Sequence, residues 1–314
     1  MIEKIKGKTL LTTHISPDDD AISSILTMNH ILKKHKIKNE MMITGDQKTR
    51  WQYFQNFDKI KFVEDIADFA EDFETIIVLD GNKWSRFSKK EKPNKNIICI
   101  DHHEGKSEFK TNIINTKKTS TIQIIYEEFL QNQKLTKKQS ETALLGILGD
   151  TGNFSFVKKQ NSEVLEIAKK LIDTGIEIQQ MQTKYQKMNQ KSLNLIGILM
   201  KNAKTKKLKN YPLMTYSYLE KKDVENINSE IVSAATSYFT NAFLRKLEGS
   251  DWGIMLKPGK GGTKISLRSI GNVDVSKIAT DLKIGGGHKN ASGGFIKMPL
   301  KKTLKHIINF LENQ

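Results

Sequence analysis

The stretch Ile97-Ile98-Cys99-Ile100-Asp101-His102-His103 decides how the chain reads. An apolar, mostly β-branched run stops abruptly at one carboxylate and two imidazoles. This is the pattern of a strand buried on both faces, whose tip delivers polar groups to the mouth of a sheet. In open α/β sheets, ligands bind at the carboxyl ends of the strands.

The same design recurs on either side. Thr75 to Leu79 is an apolar run that ends at Asp80-Gly81. Lys8 to Thr13 runs into His14-Ile15-Ser16-Pro17-Asp18-Asp19-Asp20, and a helix with Ile22, Ile25, Leu26 and Met28 inward follows. Taken alone, Asp80 is a turn residue before glycine, and Asp18 to Asp20 cap a helix N-terminus. Three aspartates beside a histidine exceed what a cap needs, and such close like charges call for a cation. Met41 to Thr44, Lys59 to Val63 and Asn112 to Asn115 read as further strands. Ser120-Thr121 opens a helix through Phe129, and Thr136 to Leu148 is another. The latter ends at Gly149-Asp150, where the helix dipole disfavours a carboxylate and implies a positive partner. The Gly146/Gly149/Gly152 spacing is no phosphate loop, because no strand precedes it and no lysine follows. Asn161-Ser162 caps a helix to Gly175, and helical periodicity continues, with breaks, to about Met200.

At 314 residues the chain can hold two domains with their own cores. No apolar run approaches a membrane span, and charges scattered through Met1 to Leu11 argue against a signal peptide. The single cysteine, Cys99, excludes a disulfide framework, which fits a reducing cytoplasmic setting. The net charge of +16 comes almost wholly from lysine and reads first as a solvated coat. It weakly favours polyanionic partners. Arg50, Arg86, Arg245 and Arg268 are the only arginines, so each carries more information than any lysine. Arg86 reads as a surface side chain.

Strands alternating with helices up to the lysine-rich stretch 201–210 predict a parallel, doubly wound sheet. Beyond it the pattern changes to a smaller α+β domain. We expect domains at 1–190 and 211–314, joined by a helical linker at 191–210. Tyr211 to Tyr218, Phe243 to Glu248, Trp252 to Lys257 and Thr263 to Arg268 read as strands. The last two flank the hairpin signal Pro258-Gly259-Lys260-Gly261-Gly262. Helices are expected at Ser229 to Thr240 and Asp274 to Leu282. Gly285-Gly286-Gly287-His288-Lys289-Asn290-Ala291-Ser292-Gly293-Gly294 has five glycines around one histidine. We read it as a loop whose backbone N–H groups cradle an anion. Arg268, in Ser266-Leu267-Arg268-Ser269, would fork onto a phosphate.

His14, Asp18, Asp20, Asp80, Asp101, His102, His103 and Asp150 are thus gathered at strand and helix ends. Carboxylate with imidazole and no thiolate suits two divalent cations, manganese first and magnesium second. Such a pair would acidify a bound water and neutralise charge on the attacking and leaving oxygens of a phosphoryl group.

The chain resembles the DHH phosphoesterase superfamily over nearly its whole length. Asp101-His102-His103 matches the motif that names it. The His-x-x-Pro-Asp-x-Asp run from His14 to Asp20, the lone Asp80 and Gly149-Asp150-Thr151-Gly152 match the others. The Gly-Gly-Gly-His and Ser-x-Arg-Ser elements resemble the nucleic-acid-binding domain that accompanies one branch. Within the superfamily the chain is similar to the short two-domain oligoribonucleases that also dephosphorylate adenosine 3′,5′-bisphosphate. The resemblance implies that His14, Asp18 and Asp80 hold one metal. Asp20, Asp80, His102 and Asp150 hold the other, with Asp80 bridging. His103 contacts the scissile phosphate and Asp101 supports it. Ser266, Arg268, Gly286, Gly287 and His288 hold the remote part of a short RNA or nucleotide. A homodimer is compatible with the fold. Two departures stand out: Asp19 where relatives often have glycine, and Gly81-Asn82 where small hydroxyl residues are common. Rival readings are a phosphodiesterase for linear or cyclic dinucleotides, a DNA exonuclease, and a nucleotide-binding module without turnover.

Overall fold

The computed structural model describes residues 1–47 and 51–314, and Arg50 lies outside them. The chain forms two compact units, Met1–Gln186 and Lys187–Gln314. No helix among the described residues is long and apolar enough to cross a membrane.

The first unit runs β1 (Thr9–Thr13), α1 (Asp19–Lys34), β2 (Asn39–Thr44), β3 (Ile60–Val63), β4 (Thr75–Leu79), β5 (Asn96–Asp101) and β6 (Thr111–Ile114). It continues through α2 (Thr121–Ile125, prolonged by a π-helical turn to Leu130), α3 (Lys137–Asp150), α4 (Glu163–Ile172) and α5 (Ile178–Tyr185). The strands form one sheet in the order β3-β2-β1-β4-β5-β6. Every pairing is parallel. Every residue of β1 and β4 is buried, as strands covered on both faces require. One face carries the large cluster with Ile22, Ile25, Leu144 and Ile147 from α1 and α3. The other packs Ile66, Phe73, Trp84, Phe87 and Phe109 from connecting segments. Strand order reverses between β1 and β4, and a crevice opens at the carboxyl ends of strands at such a point.

Helices α1 and α3 approach closely because Gly146 has no side chain. A Cβ there would lie 2.6 Å from Ser23 Cβ. Ser23 donates its hydroxyl to the Thr142 carbonyl at 2.7 Å. One turn on, a Cβ at Gly149 would lie 2.9 Å from Asp19 Cβ. These glycines are packing notches, and they set the first turn of α1 against the last turn of α3.

The second unit contains α6 (Gln190–Lys201), β7 (Lys204–Lys206), β8 (Met214–Tyr218), α7 (Lys221–Val224), α8 (Ser229–Ala242), β9 (Trp252–Gly259) and β10 (Gly262–Ser269). It ends with α9 (Val275–Asp281), β11 (Gly285–His288), β12 (Ala291–Ile296) and α10 (Leu300–Glu312). Its mixed sheet has the order β11-β12-β10-β9-β8-β7. Residues 191–210, expected to link two domains, begin with α6, whose Leu195, Ile196 and Leu199 pack with Phe239 and Met255. The expected β9–β10 hairpin closes with Gly259 opposite Gly262.

Two expectations are corrected. Phe243 to Glu248 is not a strand. Phe243 caps α8, its N–H donating to the Phe239 carbonyl, and the following residues turn back to an isolated Leu247–Ser250 bridge. Gly285 to Gly294 is not a loop but the antiparallel hairpin β11–β12. Gly285, Gly287 and Gly294 serve close strand packing. A Cβ on Gly285 would collide with the Gly293 carbonyl, and one on Gly294 with the Ile284 carbonyl.

Candidate metal centre

His14 follows β1, Asp80 follows β4, and His102-His103 follow β5, so the switch point gathers all four. Asp80 is 1% exposed and sits at φ 64°, a left-handed turn that Asp tolerates better than most residues. Its N–H donates to the Ile100 carbonyl at 3.0 Å, which ties the turn to β5. Oδ2 lies 3.3 Å from His14 Nε2. Oδ1 lies 3.6 Å from His102 Nε2 and 3.5 Å from His103 Nδ1. Thr121 donates its hydroxyl to Oδ1 at 3.0 Å. Burial opposes ionisation of Asp80, but the close imidazoles of His14, then His102 and His103, outweigh it and hold the carboxyl well below its usual range.

The remaining acids come from helices. Asp18 caps α1 by accepting the Ala21 N–H at 3.0 Å, and its Oδ2 lies 4.0 Å from His14 Nε2. Asp150 ends α3, with Oδ2 at 3.1 Å from His102 Nε2. Asp20 is fully buried and accepts from the Thr121 and Ile122 N–H groups at 2.6 and 2.9 Å. Burial first, then Asp80 and Asp150, push Asp20 well above the ordinary carboxyl value. Burial, Asp18 and Asp80 do the same to Asp150.

Three overlapping groups result: His14/Asp18/Asp80, Asp80/His102/His103 and Asp20/His102/Asp150. Within each, the donor atoms lie within 4.8 Å of one another. The donor set fits divalent cations on a specific observation. His14 Nδ1 faces the Ile15 carbonyl at 3.0 Å, which directs Nε2 into the cluster. Nε2 of His14 and Nε2 of His102 are buried there without a hydrogen-bond partner. Two buried imidazole nitrogens aimed at crowded carboxylates are what a cation would join.

Asp101 is fully buried at the end of β5, with Oδ1 at 2.7 Å from His103 Nδ1. It orients that ring. Asp19 instead accepts the Trp51 indole N–H at 3.0 Å and belongs to none of the three groups. Asn82 is buried and donates to the Glu104 carbonyl at 3.2 Å. Arg86 is half-buried, and its carbonyl accepts the Ile15 N–H at 2.7 Å, pinning the His14 segment. The Cys99 thiol faces the Gly81 carbonyl at 3.3 Å, and burial with nearby Asp101 pushes it up to about 12.

In the second unit the predicted substrate residues fall into two cross-strand rows. Arg268 pairs with Ala291, which pairs with His288. Ser266 pairs with Gly293, which pairs with Gly286. Paired residues share a face of the sheet, so two motifs far apart in sequence are brought side by side. Gly287 lies at φ 149°, where a Cβ would collide with the Ala291 carbonyl, whereas a Cβ on Gly286 would meet nothing. Arg268 donates from Nε to Asn241 Oδ1 at 3.3 Å, and from Nη1 to the Leu267 and Ser292 carbonyls at 2.9 and 3.4 Å. Sequence reasoning missed Thr121, which it read only as a helix opener, and Asn241, which nothing in its neighbourhood marks.

Residues 8–148 match the model of the DHH family, N-terminal domain, and residues 214–314 match the DHHA1 domain. The chain is 26% identical over 300 residues to the bifunctional oligoribonuclease and PAP phosphatase NrnA of Thermus thermophilus, covering 95% of this chain and 86% of that one. It is also 26% identical over 155 residues to the protein of the same description from Bacillus subtilis, 47% of each chain. An exopolyphosphatase-related protein from Bacteroides fragilis superposes with a TM-score of 0.85 at 23% identity, over 99% of this chain and 93% of the other. The chain belongs to the DHH family of phosphoesterases, with a DHH N-terminal domain followed by a DHHA1 domain.

Proposed function

We propose that the chain is a metal-dependent phosphodiesterase that degrades short oligoribonucleotides to mononucleotides and removes the 3′-phosphate of adenosine 3′,5′-bisphosphate. The observation that carries the reading is the convergence of His14, Asp18, Asp20, Asp80, His102 and Asp150, with two buried imidazole nitrogens aimed inward. The descriptions of the Thermus and Bacillus relatives supply the substrate classes.

His14, Asp18 and Asp80 would hold one divalent cation, and Asp20, Asp80, His102 and Asp150 the other. Manganese suits this carboxylate and imidazole set, with magnesium second. Bound there, the cations would supply an acidified water and charge neutralisation on the reacting phosphate. The chain does the rest. With Nδ1 of His103 engaged by Asp101, Nε2 is the atom that would meet the scissile phosphate. Thr121 and the φ 64° turn fix the direction of the Asp80 carboxylate. Ser266, Arg268, Gly286, Gly287 and His288 would take the far phosphate and sugar of the substrate.

The test is a turnover panel of short RNA, short DNA, adenosine 3′,5′-bisphosphate and linear dinucleotide, with manganese and with magnesium. We expect RNA and the bisphosphate to be hydrolysed, more strongly with manganese. His288→Ala should lose far more on RNA than on a small chromogenic phosphodiester. A preference for the dinucleotide alone, or binding without turnover, would overturn the reading.

A further inference from the structure

Arg268 is half-buried, yet every acceptor it meets is neutral: the Asn241 amide oxygen and the Leu267 and Ser292 carbonyls. No carboxylate pairs with it among the described residues. Burial and the neighbouring charge of Arg245 both work against its proton. Arg245 itself is 7% exposed and donates to the Ser269 carbonyl at 3.3 Å. A guanidinium held in a partly dry place with only neutral acceptors, as Arg268 is, calls for an anion beside it.

The end of α8 adds a second, independent feature. Tyr238 and Asn241 stand three residues apart on this helix, and such side chains are neighbours on its surface. Asn241 holds Arg268, so Tyr238 lies about one helical turn from the residue that holds the guanidinium. Tyr238 is 43% exposed and Phe243 is 39% exposed. Their ring centroids are 6.1 Å apart in an edge-on arrangement. Tyr238 takes no part in the core, which α8 meets through Val232, Ala235 and Phe239. An anion site flanked by two exposed aromatic rings has the chemistry of a nucleotide: a phosphate for the guanidinium and a flat π-face for the rings.

We propose that Tyr238 and Phe243 form a nucleobase-stacking platform for the nucleotide whose phosphate Arg268 takes. This rests on the function proposed above, and it assigns base recognition to the second unit. The platform tolerates any base, because every base has a π-face. It separates nucleotides from phosphorylated sugars and from polyphosphate, which offer nothing to stack.

The full chain, with manganese, is titrated calorimetrically with AMP and with ribose 5-phosphate. The wild type should bind AMP at least about tenfold more tightly, the scale of one base stacked on an aromatic side chain. Tyr238→Ala and Phe243→Ala should bring the ratio near unity, and Tyr238→Phe should preserve it. Arg268→Lys should weaken both ligands together and leave the ratio standing. Far-UV circular dichroism checks the fold, and the surface position of Tyr238 keeps the comparison available if Phe243→Ala unfolds. An unchanged ratio in Tyr238→Ala, or a wild type that does not distinguish the two ligands, would overturn the platform. Hydrolysis of a short RNA is followed separately. A wild type that prefers AMP but cleaves no RNA would refute the proposed activity and keep the platform.

Discussion

Asp20 caps a helix that is not its own. From the first turn of α1 its carboxylate accepts the Thr121 N–H at 2.6 Å, and the Ile122 N–H at 2.9 Å, at the start of α2. Thr121 in turn gives its hydroxyl to Asp80. One acid therefore supports a helix N-terminus and lies among the candidate metal donors. Asp20→Asn keeps one acceptor but turns an NH2 group toward the other backbone N–H, which then loses its partner. We expect it to cost about 1 kcal/mol of stability in urea titration, together with weaker manganese binding. Full stability in Asp20→Asn would argue against the capping role.

Asp80 meets His14, His102 and His103 and would serve both metal positions. Asp80→Ala should abolish turnover on RNA and on adenosine 3′,5′-bisphosphate alike. It should also remove most of the rise in Tm that manganese gives the wild type, since a ligand that binds only the folded state stabilises it. Activity on either substrate in this variant would place the chemistry elsewhere.

Protonation gives that stabilisation a sign. In the metal-free chain Asp20 and Asp150 are held well above the carboxyl value of 3.8, by burial and then by neighbouring carboxylates. Over that interval the folded chain binds protons that the unfolded chain has released. Their contribution to stability is full below 3.8 and is lost as pH rises through the folded values. Asp80 is lowered, so its contribution persists above 3.8 and fails only in stronger acid. The manganese-induced rise in Tm should therefore grow from weakly acidic to neutral pH, as protons stop competing for the carboxylates. A pH-independent rise, measured by scanning calorimetry, would contradict this.

Gly146 tests the packing that brings Asp20 toward Asp150. Alanine gains helix propensity of about 1 kcal/mol over glycine. Here its Cβ would sit 2.6 Å from Ser23 Cβ, and overpacking costs about 1–3 kcal/mol. We expect Gly146→Ala to be destabilising on balance, and Ser23→Gly to recover part of the loss in the double variant. Additive losses would exclude the contact as the cause.

Cys99 is fully buried, and its thiol is pushed up to about 12. Its thiolate population at pH 8 is then negligible, and iodoacetamide should label it only in denaturant. Rapid labelling of the folded protein, read by mass spectrometry, would show the β5 interior to be open.

The sequence was most legible where a single strand carries its own evidence. Apolar runs ending at His14, Asp80 and Asp101-His102-His103 need no partner to be recognised, because burial on both faces removes the alternation of a half-exposed strand. It was least legible where the cause of a residue lies on another strand or helix. Gly285 and Gly294 are glycines because a neighbouring backbone leaves no room for a Cβ, a spacing that composition cannot display. Phe243 to Glu248 has the aromatic and apolar content of a strand, but the end of α8 and the bond from Arg245 to the Ser269 carbonyl turn it back. The Thr121 hydroxyl acts through Asp80 and the Asn241 side chain through Arg268, which are 41 and 27 residues away.

The reversal of strand order between β1 and β4 also governs when the centre can come into being. Asp18 emerges early, but Asp150 is the last residue of α3 and would close the proposed ligand set. A growing polypeptide has no complete claim on an ion until that helix has docked. Ion capture would then act as a late clasp, tightening segments that synthesis produced far apart and rewarding only a chain whose α3 has docked on α1.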